Sequence, residues 1–197
     1  MMSAGIGRGL LPCYVGIDTS NYTTSVALLD TDTMKILQEK KLLPVKKGEK
    51  GIRQSDAVFH HTAQLPTLME KLFSQTEDKS LRGIGLSFAP RLVQGSYMPC
   101  FLSGVATATA LSESMGIPMY TNSHQAGHVQ AAMYSSGMLS RYKGGRFIAF
   151  HVSGGTTEAL YVEPMGKGIK VTTVGETDDI NAGQLIDRVG VALGLQF

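Results

Sequence analysis

The stretch GIDTSNYTTSVALLD, residues 16–30, decides how the chain begins to fold. Apolar runs at 14–18 and 25–29 flank the polar segment TSNYTT, which predicts a β-hairpin with a polar turn. A carboxylate ends the first run, and a turn rich in hydroxyl side chains and N–H groups suits phosphate or a hydrated Mg²⁺. An ordinary hairpin turn is the alternative, because Asn, Ser and Thr are common in such turns.

Outward from this hairpin, the hydrophobic periodicity predicts alternating strands and helices. The expected elements are a strand within 34–44, a helix at 56–74, a strand at 83–88, a helix at 101–115, a strand at 117–121 and a helix at 122–134. Pro66 lies inside the first of these helices, so we expect that helix to kink or to restart there.

A second series begins after the polar, glycine-rich segment 135–145. Its expected elements are strands at 147–152, 158–162 and 170–174 and an apolar helix at 182–195. Because the order of the first series starts again, we predict two lobes of one type, the first at 1–140 and an incomplete second at 141–197. The apolar ending GVALGLQF leads us to expect a fragment of a longer protein.

Composition excludes some classes of protein. Apolar residues make up 43% and charged residues 17% of the 197 residues, which excludes a disordered chain. The formal net charge of +2 does not mark a nucleic-acid, membrane or acidic partner. No apolar run reaches the roughly 18–20 residues that cross a bilayer. Cys13 and Cys100 share no CxxC spacing and no signal peptide is evident, so we expect reduced thiols, a cytoplasmic protein and no membrane partner.

The segment NSHQAGHVQAA contains two candidate metal ligands. His124 and His128 are four residues apart, so on a helix they share one face and can present two imidazoles to one ion. A catalytic metal usually takes three protein ligands, so this pair does not complete a site. The nearby carboxylates are Asp178, Asp179 and Asp187. Two partly exposed helix histidines are the alternative.

The segment HVSGGTTEALYV contains a candidate phosphate turn between two strands. Gly154 and Gly155 permit a positive φ and a close approach of phosphate to the backbone. Ser153, Thr156 and Thr157 add hydroxyl groups. A plain hairpin is the alternative, because Gly-Gly is a common hairpin turn.

In GETDDINAGQLIDRVG, residues 175–190, acidic residues precede a glycine-containing helix. Asp187 lies in an otherwise apolar stretch, where a carboxylate needs a partner. We expect either a salt bridge, with Arg188 or another neighbour, or a ligand such as a ribose diol.

The order and spacing of these segments resemble one family. An acidic-Thr-Ser turn, HxxxH, VSGG, GETDD and AGxxxD, from about residue 15 to 195, are similar to the threonylcarbamoyl-transfer family of the TsaD/Kae type, once called glycoprotease or O-sialoglycoprotein endopeptidase. The resemblance implies an α/β fold with duplicated lobes of the actin/sugar-kinase, ribonuclease H-like type. It also implies transfer of a threonylcarbamoyl group from an adenylate to the exocyclic amine of an adenosine in tRNA.

The resemblance further implies ligands, residue by residue. His124 and His128 match the family's paired ligands of a divalent metal, iron or zinc, which should face the same gap between the lobes as the glycine turn. The positions that match contacts to ATP or to the threonylcarbamoyl adenylate are Ser153, Gly154, Gly155, Gly183 and Asp187. The third metal ligand, an Asp, would lie beyond residue 197. The implied partners are tRNA, an adenine nucleotide, and protein partners of the tRNA-modification complex or a homologous chain.

The sequence departs from the family pattern at several places. The family's TSCDET turn reads TSNYTT here, so both acids are absent. HxEGH reads HQAGH, with Ala126 in place of Glu, and SGGHT has Thr156 in place of His. Residues 89–91 replace a GPG loop, and 94–100 look inserted. These differences predict a divergent paralogue, for which no catalytic residue is assigned.

Two other functions are kept open. A non-catalytic paralogue that binds a nucleotide or a partner chain would explain the missing acids, although it would not need HxxxH and SGG. A metallopeptidase is the other reading, but HQAGH lacks the Glu that HExxH enzymes use as general base.

Overall fold

The computed structural model describes residues 11–45, 52–75 and 79–195. The chain divides into two compact units, and the division falls between His124 and Gln125.

Among the described residues, the first unit contains a five-stranded sheet and two helices. Its elements are β1 (Leu11–Asp18), β2 (Thr23–Asp30), β3 (Ile36–Leu42), α1 (Gln54–Ser74), β4 (Lys79–Ala89), α2 (Phe101–Met115) and β5 (Met119–Ser123). The strand order is β3-β2-β1-β4-β5, in which the first three strands are antiparallel and β1, β4 and β5 are parallel. The predicted hairpin and the alternation after it are confirmed.

The core of the first unit explains why its elements form. Alternate residues of β2 are buried, as expected for a strand with one face on the core. The buried residues of α1 recur at three- and four-residue steps and form one stripe against the sheet. The core members include Val15, Ile17, Val26, Leu28, Leu65, Leu72, Ile84 and Ala108. Burial of each large apolar side chain contributes roughly 1.5–3 kcal/mol to stability.

Helix α1 passes through Pro66 as one continuous helix, so the expected restart there is wrong. Proline removes one intrahelical hydrogen bond and crowds the preceding turn, at a cost of about 3 kcal/mol. Leu65 and Leu68, on either side of the proline, are only 2% and 4% exposed. Their burial offsets that cost, so tertiary packing decides the conformation here.

The second unit contains a three-stranded antiparallel sheet of order β6-β7-β8 among the described residues. Its elements, with the helix that begins at the division, are α3 (His124–Ser135), β6 (Phe147–Val152), β7 (Thr157–Met165), β8 (Gly168–Glu176) and α4 (Ala182–Ala192). Its core is a cluster of α3, β7 and β8 side chains: Ala126, Val129, Met133, Leu160, Val162, Ile169 and Val171.

This cluster explains where the chain divides. We expected the boundary in the polar segment 135–145, with lobes at 1–140 and 141–197, but the structure divides earlier, at His124. The apolar residues of α3 pack with the second sheet, so the helix belongs with the strands that follow it. Composition marks the polar loop, whereas burial marks the unit.

No helix in the ranges that the structure describes is long and apolar enough to span a membrane.

Candidate functional site

The Ser153-Gly154-Gly155 turn joins β6 to β7. It is closed by a hydrogen bond from Ser153 N–H to the Thr156 carbonyl at 2.7 Å, and Gly155 N–H donates to Ser153 Oγ at 3.3 Å. We expected the glycines to use a positive φ, and this is wrong, because both keep φ outside the left-handed region. A Cβ added to either would meet no atom within 4 Å. The space in front of the turn is therefore open.

Gly183 packs directly against this turn, at the N-terminus of α4. Its N–H donates to the Ser153 carbonyl at 3.2 Å, and the neighbouring Ala182 N–H donates to Thr157 Oγ1 at 2.9 Å. A Cβ added to Gly183 would lie 2.5 Å from the Gly154 nitrogen and the Ser153 oxygen, which no side chain tolerates. The structure therefore joins the two glycine segments that the sequence presents separately, because only glycine permits this approach.

Asp187 differs from expectation. It is exposed on α4, so the apolar neighbours along its sequence do not enclose it. It forms no ion pair with Arg188 among the residues described, because adjacent positions on a helix point to different sides. The apolar side chains of α4 are themselves exposed, including Leu185, Ile186 and Val189. The inference that this carboxylate requires a structural partner is therefore wrong.

The hydroxyl groups of the first hairpin also differ from expectation. Thr19 and Thr24 are fully buried. Thr19 Oγ1 donates to the Cys100 carbonyl at 3.0 Å, and Thr24 Oγ1 bonds His61 Nδ1 at 2.8 Å. Thr24 is buried because it falls on the inward phase of β2. Both hydroxyls serve the interior of the first unit and do not face a ligand.

His124, at the start of α3, pairs with the carboxylate that ends β1. Its Nδ1 lies 2.8 Å from Asp18 Oδ2, and Ser20 N–H donates to Asp18 Oδ1 at 2.8 Å. Strands β1 and β5 run parallel through β4, so their carboxyl ends meet at one edge of the sheet. The sequence analysis singled out both residues but did not connect them.

The electrostatics of this pair favour an ionised carboxylate. Burial alone raises the pKa of Asp18, but hydrogen bonding and charge from His124, with hydrogen bonds from Ser20 and Ser87, outweigh it and hold that pKa well below its usual range. The carboxylate then favours the neutral His124 tautomer with its proton on Nδ1 and its lone pair on Nε2. A histidine oriented in this way by a carboxylate is the common form of a metal ligand.

His128, the second predicted ligand, lies beside a third histidine. The centroids of the His128 and His151 rings are 5.3 Å apart, and their planes are inclined at 35°. His151 is paired across the sheet with Glu158, and its Nδ1 lies 3.5 Å from Glu158 Oε2. Glu158 is 3% exposed and accepts a hydrogen bond from Gln125 Nε2 at 3.1 Å. Sequence reasoning missed His151, Glu158 and Gln125; the signal available was a charged residue in an inward position of β7.

These residues fit a divalent transition metal by their chemistry. Imidazole nitrogen is a preferred ligand of zinc and iron, and two of the histidines have a carboxylate beside Nδ1. Within the described parts of the chain, however, no three His, Cys, Asp or Glu side chains are arranged to hold an ion. The assignment of His124 and His128 as ligands stays a prediction.

Comparison with solved structures identifies the fold. The chain is similar to YeaZ from Pseudomonas aeruginosa, with a TM-score of 0.52 and 15% identity over 85% of this chain and 67% of that one. The predicted α/β fold of the actin/sugar-kinase type is confirmed.

Comparison of sequences identifies the family. A tRNA N6-adenosine threonylcarbamoyltransferase of Enterococcus faecalis is 29% identical over 187 residues, which cover 93% of this chain and 50% of that protein. The one of Thermosipho melanesiensis is 30% identical over 186 residues, covering 93% and 53%. The chain thus spans about half the length of the curated relatives it matches. The family model described as TsaD, tRNA N6-adenosine threonylcarbamoyltransferase, matches residues 35–197, and the chain therefore belongs to this family.

Proposed function

We propose that this protein takes part in transferring a threonylcarbamoyl group from an adenylate to the exocyclic amine of an adenosine in tRNA. Family membership supports the group transferred and the tRNA acceptor. One observation carries the assignment to this chain's own residues: Gly183 holds the N-terminus of α4 against a glycine turn that has open space in front of it.

That arrangement suits the phosphate of an adenylate. The N-terminus of a helix carries partial positive charge and N–H groups that attract anions. The backbone of Ser153, Gly154 and Gly155 adds further N–H donors, and no side chain at the two glycines blocks the approach of a ligand. In the proposed role, these donors also stabilise the negative charge that develops during acyl transfer.

Asp187 fits the ribose of the same ligand. It is exposed, so its carboxylate is accessible to a pair of hydroxyl groups. At 1.5 Å per residue it lies roughly 6 Å along the α4 axis from Gly183. This spacing suits a ribose whose phosphate is bound at the turn.

His124 and His128 are the residues proposed to hold the divalent metal. Asp18 fixes the tautomer of His124 and so keeps Nε2 as the coordinating atom. When bound, the ion would supply charge neutralisation for phosphate and polarisation of a carbonyl group.

The proposed reaction balances without an oxidant or reductant. A bond forms between the carbamoyl carbon and N6 of the adenosine, and the bond between that carbon and the phosphate oxygen breaks. AMP leaves with the bonding electron pair, and the amine loses a proton to solvent.

One observation favours the non-catalytic alternative. Ala126 stands where the family pattern has Glu, and it is 0% exposed within the core of the second unit. A carboxylate in that position would be buried among apolar side chains, which is costly without a partner. The packing supports a divergent member, and it also removes the general base that a metallopeptidase would need.

The test is direct. The protein is incubated with synthetic threonylcarbamoyl adenylate, a divalent metal and unmodified tRNA, and the modified nucleoside is measured by mass spectrometry. Product that requires the protein supports the proposal. Adenylate binding without product would reject the transferase and favour the non-catalytic paralogue, and absence of both product and binding would reject the assigned site.

A further inference from the structure

We infer that His128 and His151 form a two-imidazole site for a divalent transition metal, in which Glu158 orients His151. The inference rests on the proposed function, because it adds a ligand to the metal expected there. It is carried by contacts within the second unit: the paired rings, the buried carboxylate and an unsatisfied ring nitrogen.

The two rings have the spacing of imidazoles that share one ion. For a metal–nitrogen bond of about 2.0–2.1 Å and a tetrahedral angle, the centroids of two imidazole ligands are roughly 5 Å apart. The observed separation of the His128 and His151 centroids is 5.3 Å. His128 is exposed and the His151 side chain is 28% exposed, so an ion can reach both from solvent.

Glu158 has the position of an orienting carboxylate. Its Oε2 faces His151 Nδ1 at 3.5 Å, and Gln125 Nε2 fixes the same oxygen at 3.1 Å. A carboxylate beside Nδ1 favours the tautomer in which Nδ1 carries the proton and Nε2 the lone pair. Metal-binding histidines commonly use this arrangement to direct Nε2 to the ion.

His151 Nδ1 is buried yet has no hydrogen-bond partner in the described part of the chain. An unsatisfied buried polar atom costs roughly 1–3 kcal/mol, so it calls for an explanation. Coordination through Nε2 would make the Nδ1 proton more acidic and strengthen its attraction to Glu158. A small ring rotation on metal binding would then complete the hydrogen bond. A purely structural pair of His151 and Glu158 gives His128 no role, and this difference can be tested.

The experiment is a Co²⁺ titration of the purified protein, followed by calorimetry and by visible absorption of the bound ion. We expect His151→Gln to weaken Co²⁺ binding at least tenfold and to change the absorption bands. Glu158→Gln should weaken binding about 10–100-fold, the usual effect of losing an orienting group. His60→Gln is the matched control, because His60 lies on α1 in the first unit and should leave binding unchanged. Wild-type affinity and bands in His151→Gln would overturn the inference.

A second measurement does not depend on the stability of any variant. In ¹H–¹⁵N spectra that resolve histidine ring nitrogens, Zn²⁺ should shift Nε2 of both His128 and His151 and leave His60 in place. Ring nitrogens of His151 that do not respond to Zn²⁺ would contradict the inference. Failed tRNA modification with His151 still binding metal would reject only the proposed function, whereas unchanged metal binding in His151→Gln with transfer intact would reject only this inference.

Discussion

Gly183 donates its backbone N–H to the carbonyl oxygen of Ser153 at 3.2 Å, and a Cβ at Gly183 would lie 2.5 Å from that oxygen. Gly183→Ala should therefore push α4 away from the turn, at a cost of about 1–3 kcal/mol, as for other overpacked sites. We expect the Tm to fall by roughly 2–4 °C per kcal/mol and adenylate affinity to fall at least tenfold. Thermal unfolding and calorimetric titration with a non-hydrolysable adenylate measure the two effects.

Two other glycines provide the controls for this change. Gly155→Ala meets no atom within 4 Å, so the Tm should be kept while the new methyl group in front of the turn weakens adenylate binding. Gly145 is also surrounded by open space but lies outside the turn, so Gly145→Ala should change neither quantity. An unchanged adenylate affinity in Gly183→Ala would contradict the role assigned to the turn.

Asp18→Asn should weaken metal binding about 10–100-fold with little change in fold, because the amide no longer fixes the tautomer of His124. The measurement is the dissociation constant for Co²⁺ by calorimetry. Asp32→Asn is the matched control, since Asp32 is exposed beyond the end of β2. Equal affinities in the two variants would exclude an orienting role for Asp18.

Thr24→Ala should destabilise the first unit by about 1–3 kcal/mol, because it leaves the buried His61 Nδ1 without its partner at 2.8 Å. The same hydroxyl donates to Gln64 Oε1 at 2.7 Å, so two polar atoms lose a bond. Urea unfolding measures the change in the free energy of unfolding. Ser25→Ala, at the adjacent and outward position of β2, should remain within about 0.5 kcal/mol of the wild type.

The buried imidazole of His61 predicts a pH dependence of stability. Burial lowers its pKa from 6.5 and outweighs the backbone of Asn21 and the charge of Asp18, which raise it; His60 lowers it further. The unfolded chain therefore binds a proton that the folded chain does not. The stability from this group is present above about pH 6.5 and is lost as the pH falls from there toward the folded pKa.

Urea unfolding between pH 7.5 and 5 measures this dependence, with the pH values chosen for the experiment. In His61→Gln the loss of stability below the ordinary histidine pKa should be smaller than in the wild type, whereas His60→Gln should retain it. Stability that rises as the pH falls through this window would show that His61 is charged in the folded state.

Local patterns were sufficient for most of the fold. The alternation at 25–29 and the helical spacing at 56–74 predicted β2 and α1, because strand and helix periods are properties of neighbouring residues. Patterns failed at Pro66, where the burial of Leu65 and Leu68 outweighs a local preference. The order of short motifs also predicted the family correctly, because motif order survives where identity is low.

By itself, then, the sequence determined the elements, the fold class and the family of this protein. Only the tertiary structure decided that Asp18 pairs with His124, 106 residues away, that Gly183 abuts Ser153, and that His151 and Glu158 lie beside His128. It also decided that Thr24 points inward and Asp187 outward. The physical reason is that periodicity is set by adjacent residues, whereas the partner of a side chain depends on how strands and helices far apart in the chain pack together.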